Sequence, residues 1–357
     1  MPSNTTYQEE LKQEQTLKLR ELISCLPGFS REFFIGIEPT TSIRTRIAYG
    51  YDLNLFFTYL LQYNLSFKGK SIVDIALPDI ELINSTDIET FMEYLNYYIK
   101  PSKDNPDVQL EFSNNNKGKA RKLASIKSFY KYFYKRKKIM VNPASFVDMP
   151  KITDKPIIRL EIDEVVKLLD IIESGEKQTE TQLKYLKFNK SRDLAILTLF
   201  LGTGVRVSEL IGINISDIDF NVNGFKITRK GGNQVVLYFS NEVRSALEGY
   251  LKERKNINPV AGYEDAFFLS LQRKRISVRN VQILVKKYTG MVTNLKNISP
   301  HKLRSTYGTN LYRETGDIYL VADVLGHKDV NTTKKHYAAI DDDKRKMAAK
   351  IVKLRED

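Results

Sequence analysis

Apolar residues recur at helical spacing through most of the chain. From Ser42 onward, Ile43, Ile47, Tyr51, Leu55 and Tyr59 fall every four residues, and Leu53, Phe56 and Leu60 widen the stripe. Such a stripe predicts a helix with one packed face. A second helix is expected near Ser85-Thr86-Asp87, with Glu89 placed for a cap, running through Phe91, Tyr94 and Leu95. Residues 101–116 are rich in Pro, Asn and Ser and predict a loop. Another stripe, Leu123, Ile126, Phe129, Tyr130 and Phe133, is closed by Asn142-Pro143. Glu161 opens a helix carrying Val165, Val166, Leu168 and Leu169, and the polar stretch 173–191 reads as an insertion or mobile loop. Residues 193–201 form a strongly apolar helix that Gly202-Thr203-Gly204 breaks, and 206–210 begin the next. The period changes at Phe225-Lys226-Ile227-Thr228 and Val235-Val236-Leu237-Tyr238, two short β-rich runs. Lys230-Gly231-Gly232-Asn233 between them signals a hairpin. The remainder reads as helix, ending in a small amphipathic segment of Met347, Ile351 and Leu354 beside Ala348 and Val352. The expected class is mainly α with a small antiparallel β-sheet.

A length of 357 residues predicts two domains. Residues 148–160, with Pro150, Pro156 and several charges, read as an exposed joint. The chain then parses as a leader, part charged helix and part loop, at 1–40; a helical domain at 41–150; a linker at 151–160; a second domain at 161–340; and a tail helix at 341–357.

Charge adds the first hint of a partner. Lys and Arg number 56 against 43 Asp and Glu, a formal net charge of +13. That balance suits an acidic polymer, most simply nucleic acid. The excess is local: Lys117, Lys119, Arg121, Lys122, Lys127, Lys131, Lys135, Arg136, Lys137 and Lys138 lie together with no acid among them. A merely solvated helix face mixes signs. This one is therefore expected to pack through its apolar stripe and to present Lys119, Arg121, Lys122, Lys127, Lys131 and Lys135 to a DNA backbone. The one cysteine, Cys25, forms no internal disulfide and points to a reducing compartment. No Cys/His cluster suggests a structural zinc, and neither a metal nor a cofactor is expected. No apolar signal core and no run of about eighteen apolar residues appear, so a cytoplasmic protein without a membrane span is expected.

Candidate chemistry gathers near the end. All three histidines lie between 301 and 336: His301 in His301-Lys302-Leu303-Arg304, His327 in Leu325-Gly326-His327, and His336 directly before Tyr337. His and Arg at i, i+3 neighbour each other on a helix. Imidazoles, a guanidinium and a phenol together can grip an anion and attack it, which suggests phosphate chemistry without an obvious metal.

Upstream stand Thr203-Gly204-Val205-Arg206-Val207-Ser208-Glu209-Leu210 and Lys230 on its turn. Taken in order with His301-x-x-Arg304, Leu325-Gly326-His327 and Thr332-Thr333-Lys334-Lys335-His336-Tyr337, these pieces closely resemble the tyrosine recombinases, the phage-integrase family. The resemblance covers roughly 160–340, and the helical domain at about 42–145 is similar to that family's core-binding domain, a SAM-like helical bundle. Within the family the chain looks most like bacterial Xer-type recombinases. The leader and the 173–191 insertion are similar to the single-protein Xer subgroup of streptococci and relatives.

The resemblance implies a role for each residue, and side-chain chemistry says why it suits. Arg206 and Arg304 match the two arginines that hold the phosphate; each is permanently charged and donates a planar fork of hydrogen bonds. Tyr337 matches the nucleophile. A phenol with pKa about 10 needs activation, and its phosphotyrosyl link keeps the bond energy for rejoining without ATP. Tyr307, Tyr312 and Tyr319 are read as core or groove residues. Lys230 matches the general acid for the leaving 5′-hydroxyl. The usual phrase has Gly before this Lys, whereas Arg229 stands here, which leaves open whether Arg229 shares the role. His301 resembles the residue that assists proton transfer at the tyrosine, and His327 the one that bonds the scissile phosphate. His336 is read as DNA-contacting or structural, since i, i+1 side chains do not face each other on a helix; many relatives carry a His two residues after the tyrosine, where this chain has Ala339. Glu209 fits the acid that orients the cations.

The resemblance thus implies a site-specific recombinase gripping duplex DNA as a C-shaped clamp. Four protomers on two DNA sites would exchange strands through a 3′-phosphotyrosyl intermediate and a Holliday junction, with the tail helix docking into a neighbour. Chromosome dimer resolution, linked to chromosome partition and cell division, is the expected setting, with a DNA translocase as a further candidate partner. Alternatives are an integrase or transposase of a phage or conjugative transposon, a type IB topoisomerase or telomere resolvase, and a non-enzymatic architectural DNA-binding protein.

Overall fold

The computed structural model describes residues 7–102, 105–153, 157–176, 180–229, 232–327 and 329–330, with the backbone alone for 180–188. The chain divides at Asp154–Lys155 into two compact units.

The first unit holds α1 (Tyr7–Ser24), α2 (Ser30–Gly36), α3 (Ile43–Tyr63), α4 (Ser85–Tyr94), β1 (Tyr98–Pro101), β2 (Gln109–Phe112) and α5 (Asn116–Lys135). Its helices begin where short polar side chains can take orphan backbone N–H groups. Ser42 accepts from Thr45 N at the start of α3, and Asn115 accepts from Gly118 N at the start of α5. Asn84 and Asp87 form a reciprocal capping box at α4. The cap expected from Glu89 is thus supplied by Asn84 and Asp87, because an N3 acid reaches back to the cap and a residue at N5 does not.

The core of this unit is aromatic. Phe33, Phe56, Phe57, Phe91, Phe129 and Phe133 are fully buried, and pairs such as Phe56 and Phe91 meet edge to face with centroids 5.1 Å apart. Three expectations change here. Leu19, Leu26, Phe33 and Phe34 of α1, α2 and their connection belong to this core, so the leader is structural. The 101–116 loop is partly a hairpin: β1 and β2 pair antiparallel, Tyr98 opposite Phe112. Tyr51, placed on the buried stripe of α3, is exposed, while Phe57 takes a core position.

The second unit holds α6 (Ile162–Ser174), α7 (Glu180–Thr203), α8 (Val207–Leu210), β3 (Ile218–Asp219), β4 (Gly224–Thr228), β5 (Gln234–Tyr238), α9 (Asn241–Arg254), α10 (Val278–Val292), α11 (Pro300–Thr315) and α12 (Ile318–Leu325). The central helix α7 packs against α6, α9 and α11 and buries Ile196 and Phe200. It starts at Glu180, so residues 180–191 are helical and not the expected loop. That stretch contains neither Gly nor Pro and is rich in strong helix formers. The expected hairpin forms as the outer part of a three-stranded antiparallel sheet, order β3-β4-β5, with Thr228 opposite Gln234. Its turn is closed by Arg229 N to Asn233 O at 2.8 Å and Gly232 N to Arg229 O at 3.0 Å. The tail segment 341–357 lies outside the described residues.

Candidate active site

The site begins where α7 stops. Gly204 adopts φ +62°, and a Cβ there would come 2.5 Å from the Tyr307 ring and 2.8 Å from Leu325. Only glycine takes this backbone without strain and leaves room for those neighbours. The turn delivers Arg206 to the N-cap of α8. Glu209 Oε2 accepts from Arg206 N at 2.9 Å, and Oε1 accepts from Arg206 Nη1 at 2.7 Å. Buried Glu209 thereby fixes both ends of the arginine.

Arg304 arrives from α11, one turn after His301. It is only 4 % exposed, and its guanidinium donates to Gly204 O at 2.5 Å and to Leu325 O. Arg206 Nη2 donates to the same Leu325 O at 3.1 Å and to Gly326 O at 2.9 Å. Two guanidiniums from segments about a hundred residues apart therefore converge on one oxygen. A third joins them: Arg229 donates to Asp323 O at 3.2 Å and Val324 O at 2.8 Å.

Apart from Gly204 O, these acceptors belong to the last turn of α12 and its cap, Gly326. A helix leaves its final carbonyls without intrahelical partners, and that end carries partial negative charge. Here Ala322 O takes His327 N at 2.8 Å, and the arginines take the others. Gly326, at φ +61°, ends the helix and turns the chain toward His327. The Leu325-Gly326-His327 phrase is thus a helix C-cap as well as a source of imidazole.

The sequence-predicted residues separate into groups. Arg206, Glu209, Arg304 and the backbone before His327 are brought together. His327 is half-buried, and His301 is exposed on the first turn of α11. Lys230, His336 and Tyr337 lie outside the described residues. Of the rival phenols, Tyr312 is buried and Tyr319 is 72 % exposed, not a core residue. Burial pushes the Tyr307 phenol above its ordinary pKa, away from the ionised form a nucleophile needs. In the sequence Arg229 stands out as a departure from the usual phrase that leaves its share in the Lys230 role open; its place against α12 depends on residues some ninety-five positions away. Among the described residues no group of three or more His, Cys, Asp or Glu could hold a metal ion.

The basic helix α5 also divides. Lys122 is buried and donates to Asn114 Oδ1 at 2.9 Å, and burial lowers its pKa. It is thus turned inward, unlike the exposed cations among which it was expected. Arg121 pairs at 2.5 Å with Asp52, which is 2 % exposed, and Lys119 donates to Asn96. Lys131 and Lys135 are exposed and Lys127 half-buried. Lys127 and Lys131 line an open cavity of about 520 Å³ with Ser128, Asn142 and Ser145.

Residues 159–344 match the phage integrase family. The chain belongs to that family. Among curated tyrosine recombinases, XerC of Caldanaerobacter subterraneus subsp. tengcongensis is 37% identical over 331 residues, spanning 88% of this chain and 84% of the relative. XerS of Lactococcus lactis subsp. cremoris is 27% identical over 365 residues, 94% of this chain and 98% of the relative. These relatives place this tyrosine recombinase with the Xer type. The fold agrees. A XerH site-specific recombinase bound to difH substrate aligns with TM-score 0.59 at 18% identity, covering 87% of this chain and 79% of that one. A Tn1549 transposon integrase in complex with transposon right end DNA aligns with TM-score 0.62 at 16% identity, covering 88% and 98%.

Proposed function

We propose that the protein is a Xer-type site-specific DNA recombinase that cuts and rejoins duplex DNA through a 3′-phosphotyrosyl intermediate. One observation carries the reading: Arg206 and Arg304, with Glu209 locked on the first, converge on a single oxygen at the end of α12. Two forks aimed at one point suit a phosphodiester, whose transition state gathers charge on its non-bridging oxygens. Arg304 is buried and engages carbonyls, so on binding the phosphate has to share or displace the Leu325 contact.

The chemistry then assigns the remaining parts. Tyr337 Oη attacks phosphorus, the P–O5′ bond breaks, and the 5′-oxygen leaves as a hydroxyl with a proton from Lys230. His301 assists at the tyrosine and His327 holds a phosphate oxygen. The incoming 5′-hydroxyl of a second strand reverses the step, which links two duplexes through a Holliday junction. Exchange at two sites needs four protomers, with the 341–357 tail as the contact between them, and a DNA translocase is a candidate partner. DNA-backbone contact by Lys127, Lys131 and Lys135 belongs to the same reading. So does a cytoplasmic location beside the chromosome; no described helix is long and apolar enough to cross a membrane. Relatives named XerC and XerS support chromosome dimer resolution over an integrase role. An architectural role without chemistry is disfavoured by the intact Arg206–Glu209–Arg304 set.

The test is a nicked suicide duplex carrying a recombination site. The protein is expected to become covalently trapped on it, whereas Tyr337→Phe binds without trapping. Trapping by Tyr337→Phe sinks the nucleophile assignment.

A further inference from the structure

Arg229 connects the β4–β5 turn to the C-terminal end of α12. Its backbone belongs to the β4–β5 turn, where its N–H and C=O make both closing hydrogen bonds. Its side chain leaves the sheet and grips the end of α12 through Asp323 O and Val324 O. The contact is close. A Cβ on Gly326 would lie 2.6 Å from the Arg229 guanidinium carbon. Arg229 Nε is buried and finds no acceptor among the described residues. Burying an unsatisfied donor is costly, so the guanidinium is held there by its two carbonyl bonds and by packing on Gly326. Lys230 is the next residue in the chain.

We infer that Arg229 is a positioning residue: by clamping the start of the turn to the α12 C-terminus, it supports proton transfer from Lys230, the next residue in the chain, to the leaving 5′-oxygen. The inference rests on the strand-cleavage reading above. In the step it serves, the Tyr337 oxygen bonds to phosphorus, the P–O5′ pair of electrons goes to oxygen, and that oxygen takes the Lys230 proton. Without the clamp the turn loses the anchor that Arg229 makes to α12 directly before Lys230. General acid catalysis is worth roughly 10²–10⁴-fold and depends on hydrogen-bond reach to the leaving atom.

The test compares two suicide substrates, one ordinary and one with sulfur replacing the bridging 5′-oxygen at the cleaved bond. A thiol has a pKa of about 8.5 and leaves as a thiolate without a proton donor. Arg229→Gly is expected to cleave the ordinary substrate about tenfold or more slowly and the sulfur substrate within about threefold of the unsubstituted protein. Lys230→Ala should show the same rescue. Equal loss on both substrates, or no loss on either, overturns the inference. If Arg229→Gly is too unstable to assay, Arg229→Lys fills similar space but offers one ammonium where two carbonyls are spanned, and the same selective rescue is expected. Failure of the unsubstituted protein to trap on either substrate would instead defeat the recombinase reading itself.

Discussion

The contact between Gly326 and Arg229 makes a quantitative prediction. Gly326 sits at φ +61°, ψ 47°, a backbone that costs an alanine about 1–2 kcal/mol. Gly326→Ala also places a Cβ 2.6 Å from Arg229 Cζ and Nη1, so the guanidinium must lift off. It then gives up the hydrogen bonds to Asp323 O at 3.2 Å and Val324 O at 2.8 Å. Hydrogen bonds from a charged donor contribute about 1.5–3 kcal/mol each. The longer, exposed bond to Asp323 belongs below that range, so the second contribution is about 2–3 kcal/mol in all. Gly326→Ala should therefore cost about 3–5 kcal/mol in the natural chain and only about 1–2 kcal/mol in an Arg229→Gly background. Gly326→Asn separates the components, since Asn tolerates the left-handed region yet still carries the Cβ. Urea unfolding of the single and double variants measures the coupling. Equal costs in the two backgrounds would refute the contact, and a cost for Gly326→Ala below about 1 kcal/mol would refute the left-handed cap as well.

Three further outcomes follow from charged groups elsewhere. Neutralising Lys127, Lys131 and Lys135 together should weaken DNA binding at all sequences and reduce the slope of log K against log salt by up to about 2.7. Lys122→Ala should leave that slope unchanged and instead lower stability by about 1–3 kcal/mol, read by urea titration alongside a fluorescent-duplex binding assay. Burial pushes the Asp193 carboxyl up against the pull of Arg192, with Tyr288 donating to it at 3.0 Å and Lys287 nearby. Its folded pKa thus exceeds the unfolded value of about 4. The stabilisation from that protonated form is present below the unfolded value and is lost as pH rises through the folded one. Asp193→Asn should flatten this fall in unfolding midpoints, and an unchanged profile would remove Asp193 as its source.

Much of this architecture was readable because local signals agreed with each other. The stripe on α5, the Gly-rich turn between β4 and β5, and the Arg206-x-x-Glu209 pair each rest on neighbours within a few residues. What escaped the sequence reading depended on distance or on weak contrast. Residues 180–191 were read as loop from polarity, although the absence of Gly and Pro favoured helix. The β1–β2 hairpin shows little alternation because β2 is exposed along its length. Lys122 is chemically the same as its exposed neighbours, and only Asp52 and Asn114 mark it as internal. The role of the α12 carbonyls was equally hidden, since a backbone oxygen has no letter in the sequence.

Those carbonyls have a consequence for how the catalytic pocket is charged. Proteins commonly hold clustered arginines with carboxylates, which cancel them. Here three guanidiniums bond uncharged peptide carbonyls, and the Glu209 carboxylate pairs with Arg206. Peptide carbonyls anchor guanidiniums without cancelling their charge. A phosphate that approaches Arg206 and Arg304 therefore exchanges with the neutral carbonyl of Leu325.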